Sequence, residues 1–392
     1  PPPPPPFSSR RRHTRSTLQS RGLGDVYKRQ LGVGASDALC LCPHAMASNS
    51  NLMSGPYKIA IRGAGVTGLW QALTLARRGH HVIVVEQSAE PFADACSPWA
   101  GAMLAPRCEE ESAESVITDL GLRGIQLWQG LYPGLSMNGS VVVAPARDRK
   151  LLDRFERMTQ GASRLDSKQL EQLEPALAPR FDTALFYADE AHFDPGAALT
   201  FLLNEVRSAG AIVQLGTSET PEGADFIVDC RGLGAQDMLP TLRGVRGERI
   251  VVRAPDVSFE RPVRLLHPRF PLYLVPWGQD ETGANVFMLG ATSIEREDGG
   301  PVTLRSALEL LSAAYVLDPA FGEAEILTLG AGVRPAFPDN RPRIITSSGY
   351  IFVNGLYRHG FLLSPVMAEL VAQHLETGAT HPEVFIADLG KR

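Results

Sequence analysis

The feature that most constrains this 392-residue chain is a glycine run set between an apolar strand and a helical pattern. Ile59, Ala60 and Ile61 read as a buried strand leading into Gly63-Ala64-Gly65-Val66-Thr67-Gly68. Leu69, Ala72, Leu73 and Ala76 then recur at helical spacing until Gly79 supplies a stop. A second strand, Val82 to Val85, ends in Glu86, which stands 23 residues after Gly63. Gly63 permits the tight turn, Gly65 lets backbone approach a pyrophosphate, and Gly68 lets the helix pack close to the strand. Free N–H groups at the helix start favour phosphate. Glu86, with Gln87 beside it, is placed to accept hydrogen bonds from ribose hydroxyls, and its charge disfavours a 2′-phosphate. The unit therefore predicts a Rossmann-like site for FAD or NAD rather than NADP. No second complete glycine fingerprint follows, since Gly232-Leu233-Gly234 and Gly330-Ala331-Gly332 lack the third glycine. One dinucleotide is expected.

Composition excludes several classes. The formal charge is −5, but the first thirty residues hold seven basic residues and one acidic, leaving 31 Lys and Arg against 42 Asp and Glu in the rest. So acidic a body repels phosphate backbones, and no nucleic-acid partner is expected. No apolar run reaches the roughly 18 residues of a membrane span, so no stable membrane insertion is expected. The five cysteines (Cys40, Cys42, Cys96, Cys108, Cys230) lack metal or redox spacing and suit a reduced, cytoplasmic protein. Asp189, Glu190 and His192 have no helix-spaced partners, and no metal site is predicted.

Residues 1–52 are expected to be a disordered leader outside the fold. The Arg- and Ser-rich start shares the biases of a transit peptide. Asp25 to Gln30, however, can be encoded by a sequence resembling the end of a transposase adapter, and the favoured expectation is that residues 1 to about 30 are a translated artefact, with a natural start at Met46 or Met53.

Beyond Glu86 lies Cys96-Ser97-Pro98-Trp99-Ala100-Gly101-Ala102-Met103-Leu104-Ala105-Pro106, whose small residues let backbone lie against a flat ring. Further blocks follow: Leu185 to Pro195, Asp229 to Gly234, Gly247-Glu248, Leu272 to Pro276, Leu289 to Thr292, Gly332-Val333-Arg334-Pro335, and Gly355 to Pro365. Together they resemble the D-amino-acid oxidase superfamily, most closely the thiamine-pathway glycine oxidases, over about residues 57–370. The resemblance implies an α/β fold with a discontinuous FAD-binding domain (53–137, 193–244, 330–392) and a smaller α+β substrate domain (138–192, 245–329) on an antiparallel sheet. Strands at Phe226 to Asp229, Ile250 to Arg253, Tyr273 to Val275, Asn285 to Gly290 and Tyr350 to Val353 agree with that outline.

The resemblance also implies roles. Arg334, stiffened by Pro335, matches the carboxylate-binding arginine, and a guanidinium suits a carboxylate with two parallel hydrogen bonds. Arg358 matches a second arginine near flavin and substrate, and Tyr273 a tyrosine assisting at the carboxylate. Without the resemblance, Arg334 reads sooner as an interdomain ion pair and Tyr273 as a half-buried strand aromatic. Cofactor contacts are expected from Gly63, Ala64, Gly65, Val66, Gly68, Glu86, Gln87, Gly101, Ala102 and Met103, and from Leu356, Tyr357, Arg358, His359, Gly360, Phe361 and Leu362. A helix starting near Pro365, with Val366, Leu370, Val371 and Leu375 as its apolar face, is expected to aim its positive end at the flavin. His359 is expected to pack near the ring rather than act as a base. No cysteine follows Cys230 to form the cysteinyl link of some sarcosine oxidases, so FAD is expected to be noncovalent.

The implied reaction is oxidation of glycine, or a similar small amine or D-amino acid, to the imine. Hydride passes to flavin N5, and dioxygen returns as hydrogen peroxide. Iminoacetate would serve thiamine thiazole formation. Alternatives are a D-amino-acid dehydrogenase with another acceptor and a noncatalytic flavin-binding protein. The family suggests a homo-oligomer.

Overall fold

Gly63 is the corner on which the nucleotide half turns. Its φ of +98° lies in the left-handed region, and a Cβ there would stand 2.8 Å from the Cys230 carbonyl oxygen. The corner joins the strand Lys58–Arg62 to the helix Val66–Arg77. The computed structural model describes residues 55–387. The leader expected at 1–52, with Cys40, Cys42, Met46 and Met53, lies outside the described residues.

Lys58–Arg62 sits centrally in a seven-stranded sheet ordered Phe385–Ala387, Arg343–Ser347, Tyr350–Asn354, Phe226–Asp229, Lys58–Arg62, His81–Glu86, Ile212–Leu215. All its pairings are parallel except the hairpin Arg343–Ser347 with Tyr350–Asn354. From the first strand the chain steps outward to His81–Glu86 and Ile212–Leu215, then crosses back to Phe226–Asp229. That reversal opens a crevice at the carboxyl ends of Lys58–Arg62 and Phe226–Asp229, where doubly wound sheets bind ligands. Ile59, Ile61, Leu69, Ala72, Leu73, Val82, Val84 and Val228 pack between the sheet and its helices as one core. The helix Pro195–Ser208 belongs to the same core, its start fixed by Asp194, whose carboxylate accepts the Gly196 N–H at 2.7 Å.

The carboxy-terminal helix departs from expectation. It runs Gly360–Thr377, five residues earlier than Pro365 suggested, so the proline lies inside it. A proline removes one intrahelical donor and leaves the carbonyl four residues back unpaired. Here that carbonyl, Phe361 O, accepts the indole N–H of Trp128 at 2.7 Å. Trp128 belongs to the helix Ser115–Gln129, whose Gly121 and Gly124 let it lie against Leu362; a Cβ on Gly124 would collide with the Leu362 carbonyl oxygen. Helices Val66–Arg77 and Ser115–Gln129 both pack on Gly360–Thr377. Consequently Phe361 to Ala368 are buried without a break, and the helix is internal rather than an amphipathic lid with one apolar face.

The second sheet has eight strands: Glu325–Ala336, Arg243–Arg253, Asn285–Gly290, Leu272–Gln279, Val263–Leu265, Ser140–Val143, Thr183–Tyr187, Ser163–Asp166. It is antiparallel apart from one parallel seam, Val263–Leu265 with Ser140–Val143. The helix Leu304–Leu317 covers it through Leu310, Ala313, Ala314 and Leu317, and Thr303 caps that helix by accepting the Ser306 N–H at 3.2 Å. The domain limits read at 244/245 and 329/330 fall inside the long strands Arg243–Arg253 and Glu325–Ala336 of this sheet. No helix among the described residues is long and apolar enough to cross a membrane.

Candidate active site

A single cavity of about 750 Å³ runs from the glycine corner, past Glu86 and Gln87, to Tyr273, Arg334 and Arg358. At its nucleotide end the backbone does the work. Gly65 opens the helix without a side-chain cap of its own, and a Cβ on Gly68 would collide with the Gly63 carbonyl oxygen. Glu86 is oriented by two amides, accepting from Ala64 N–H at 2.8 Å and Ser88 N–H at 3.2 Å. A carboxylate so placed retains lone pairs for hydroxyls of a guest. The amino end of Gly360–Thr377, also without a side-chain cap, lines the same cavity through His359, Gly360, Phe361 and Leu362. Two helix starts whose own N-cap residues supply no side-chain cap, a cradle that admits no Cβ, and a volume in the usual range for cofactor sites fit a dinucleotide carrying a flat ring.

The wall between the two ends is the segment 96–103. Ser97 Oγ accepts the Val66 N–H at 3.2 Å, tying that segment to the helix start. Ala102 has φ +52°, an uncommon conformation for a residue with a Cβ. Arg249 holds the stretch in place. Its guanidinium lies between Trp99 and Trp277, 5.3 and 4.9 Å from their ring centroids, and donates to the Ala100 carbonyl at 3.0 Å. Trp277 donates to the Gly101 carbonyl at 3.3 Å. Trp99 itself rests on Gly330 and Gly332, where any Cβ would strike its ring.

At the far end three arginines converge. Arg334 stands on the strand Glu325–Ala336 opposite Val245, and Gly247 leaves the space its guanidinium fills. Arg334 donates to the Thr292 carbonyl at 3.2 Å, and no carboxylate among the described residues lies within ion-pair distance of it. Burial, then the nearby Arg358, lowers its pKa. The reading of Arg334 as an interdomain ion pair therefore finds no acidic partner. Arg358 donates to the Tyr273 hydroxyl at 3.1 Å. Because that bond uses the phenol oxygen as acceptor, the hydroxyl proton stays free to be donated elsewhere. Arg264 stacks on the Tyr273 ring, 4.6 Å from its centroid, and pairs with Glu109 at 2.7 Å.

Of the expected cofactor residues, Gly63, Gly65, Val66, Glu86, Gln87, Gly101, Ala102, Met103 and the run Leu356 to Leu362 line the cavity. Ala64 and Gly68 do not; the first orients Glu86 and the second sets the helix-to-strand distance. His359 is buried, and its pKa is lowered by burial, with Arg358, Arg264 and Arg334 opposing proton uptake while Glu109 favours it. Asp189 pairs with Arg107 at 3.1 Å, while Glu190 accepts from Cys108 N–H at 2.8 Å and from Ser140. Among the described residues no cluster of three or more His, Cys, Asp or Glu is arranged to hold a metal. Pattern reading missed Glu109, Arg264, Arg249, Thr217 and Ser218, all but Arg249 on the cavity wall. None sits in a motif. The strand pattern around Val263–Leu265 carried the one usable signal, an arginine at a buried position.

An α/β enzyme with a dinucleotide crevice opening onto an arginine-lined pocket defines a flavin-type oxidoreductase. Residues 58–374 match the family model described as DAO, FAD dependent oxidoreductase, and the chain belongs to that family. A Rhizobium etli protein with the provisional name thiamine biosynthesis oxidoreductase ThiO is 49% identical, over 83% of this chain and 98% of its own. A D-amino-acid oxidase from Rubrobacter xylanophilus is 28% identical, over 72% of this chain and 84% of its own. The crystal structure of glycine oxidase from Geobacillus kaustophilus superposes with a TM-score of 0.70 at 26% identity, covering 86% of this chain and 97% of that one. The protein is thus an FAD-dependent oxidoreductase of the glycine oxidase and D-amino-acid oxidase type.

Proposed function

We propose that the enzyme oxidises the carbon–nitrogen bond of glycine, or of a similarly small amine or D-amino acid, to the imine. The acceptor is dioxygen, which leaves as hydrogen peroxide, and the iminoacetate formed from glycine supplies thiazole formation in thiamine biosynthesis. The kinship with a protein named ThiO supports the last step. The observation that carries the reading is Arg334: a guanidinium with no acidic partner among the described residues, in the cavity that also holds the nucleotide corner. Such a group calls for an anionic guest.

The side chains divide the labour as follows. Arg334 grips the substrate carboxylate, its own direction fixed by Thr292 and its space kept by Gly247. Tyr273 donates its free proton to the same carboxylate, held in place by Arg358. FAD, when bound, would supply the hydride acceptor for the substrate α-carbon. Gly63, Gly65, Val66, Glu86 and Gln87 would hold its adenosine diphosphate, and Gly101 to Met103 with Leu356 to Leu362 its ring, without a covalent link. The protein contributes positioning and exclusion of water, so no acid or base is required of His359.

The test is a panel of glycine, sarcosine, D-alanine and D-proline, read by peroxide release and by anaerobic bleaching of the flavin. Peroxide with glycine bears the reading out. Bleaching without peroxide makes the enzyme a dehydrogenase with another acceptor, and no bleaching with any of the four overturns the proposal.

A further inference from the structure

The substrate end of the cavity holds a carboxylate that the reaction just described does not use. Glu109 closes the short turn Pro106–Glu109, and its side chain is 13% exposed. One oxygen pairs with Arg264 at 2.7 Å, and the other faces Arg358 at 3.8 Å, longer than a direct hydrogen bond. The remaining carboxylates on the cavity wall lie elsewhere. Glu86 is held by the amides of residues 64 and 88, Glu297 accepts from Gly244 N–H at 2.8 Å, and Asp94 lies on the loop after the second strand. Three guanidiniums, Arg264, Arg334 and Arg358, therefore share one acid at this end.

An amino acid arrives as a zwitterion, and a pocket of arginines alone attracts its carboxylate while repelling its ammonium. We propose that Glu109 is the specificity-determining residue that receives the substrate's ammonium group, so that the pocket selects small zwitterions over plain carboxylates of the same size. This deepens the function proposed above and rests on it. Arg334 takes one end of the guest; Glu109, braced from behind by Arg264, faces the other from the side of Tyr273 and Arg358. Glu109 is ionised across the physiological range, since Arg264, Arg358 and His359 hold its pKa at about 2 against the opposing effect of burial. The longer contact to Arg358 leaves that oxygen room for a second donor.

A fixed negative charge also holds the ammonium in its charged form. The amine must be neutral when hydride leaves, so the acid limb of flavin reduction reports on Glu109. The groups facing this point are Arg264, Arg334, Arg358, Tyr273 and His359, with Glu190 and Cys108 behind the turn.

The experiment compares glycine with glycolate, which keeps the carboxylate and replaces the amine by a hydroxyl. In holoenzyme carrying Glu109→Gln, the glycine KM should rise roughly tenfold or more, as loss of a charge pair at partly buried sites implies. The glycolate Kd, from its perturbation of the flavin spectrum, should stay level or fall. The pH midpoint of anaerobic bleaching by glycine should move down. Where Glu109→Gln alone fails to fold with Arg264 left unpaired, Glu109→Gln with Arg264→Met tests the same ratio without an orphaned charge. Equal changes for both ligands, or no change for either, overturn the assignment while leaving glycine oxidation by the unaltered enzyme intact. Failure of the unaltered enzyme to bleach with any of glycine, sarcosine, D-alanine and D-proline overturns the functional reading itself, and this inference with it.

Discussion

The two ends of the cavity are built by opposite means. The nucleotide end is local, since strand, corner, helix and terminal acid all fall within residues 58–86, and its contacts come from backbone that glycines have bared. The substrate end is remote. Glu109, Arg264, Tyr273, Arg334 and Arg358 come from five separate stretches and meet through charged and aromatic side chains. The difference teaches that binding and selectivity can fail separately: one end depends on the absence of atoms, the other on their exact charge.

The most disruptive break falls at Gly68. Gly68→Val would drive a side chain into backbone at Gly63, which cannot swing aside, at a cost expected to exceed the roughly 1–3 kcal/mol of ordinary overpacking. Purified protein should lose its flavin, and retention of a full complement would refute the cradle. Arg334→Ala sharpens the contrast from the other side. It should weaken carboxylate ligands by about 2–5 kcal/mol while flavin content stays normal, measured by ligand perturbation of the flavin spectrum. Unchanged affinity would remove Arg334 from the pocket. Tyr273→Phe deletes one donor and keeps the ring under Arg264, so a loss of about 0.5–1.5 kcal/mol in the same titration is expected.

The smallest effect lies behind the substrate end. Burial raises the Glu190 carboxyl from 4.5 to about 7, so between those values the folded protein keeps a proton the unfolded chain has released. Its contribution to stability is lost as pH rises through that window. Glu174, also raised to about 7, acts in the same direction, whereas His192, lowered to about 4, stabilises as pH rises from 4 to 6.5. Glu190→Gln should narrow the difference in melting temperature between pH 5 and pH 7.5. An unaltered difference would show that Glu190 does not titrate there.

How much could be read in advance follows the same divide. The strands Phe226–Asp229 and Asn285–Gly290 coincide with their sequence patterns, because apolar runs bounded by turns are a local signal. The start of Gly360–Thr377 was misjudged because Pro365 looks like a first-turn residue, and nothing nearby reveals that Trp128 takes the carbonyl it leaves open. At the substrate end Tyr273, Arg334 and Arg358 were found by resemblance alone. Glu109 and Arg264 escaped both routes, since a charge pair across 155 residues leaves no periodicity.

That indole has a consequence in time. Trp128 and Phe361 are 233 positions apart, and ribosomes add about 5–20 residues each second, so the tryptophan waits roughly ten to fifty seconds for its acceptor to emerge. Until then the nascent protein carries its glycine corner with an open back wall, and maturation of the flavin seat is deferred by that same interval.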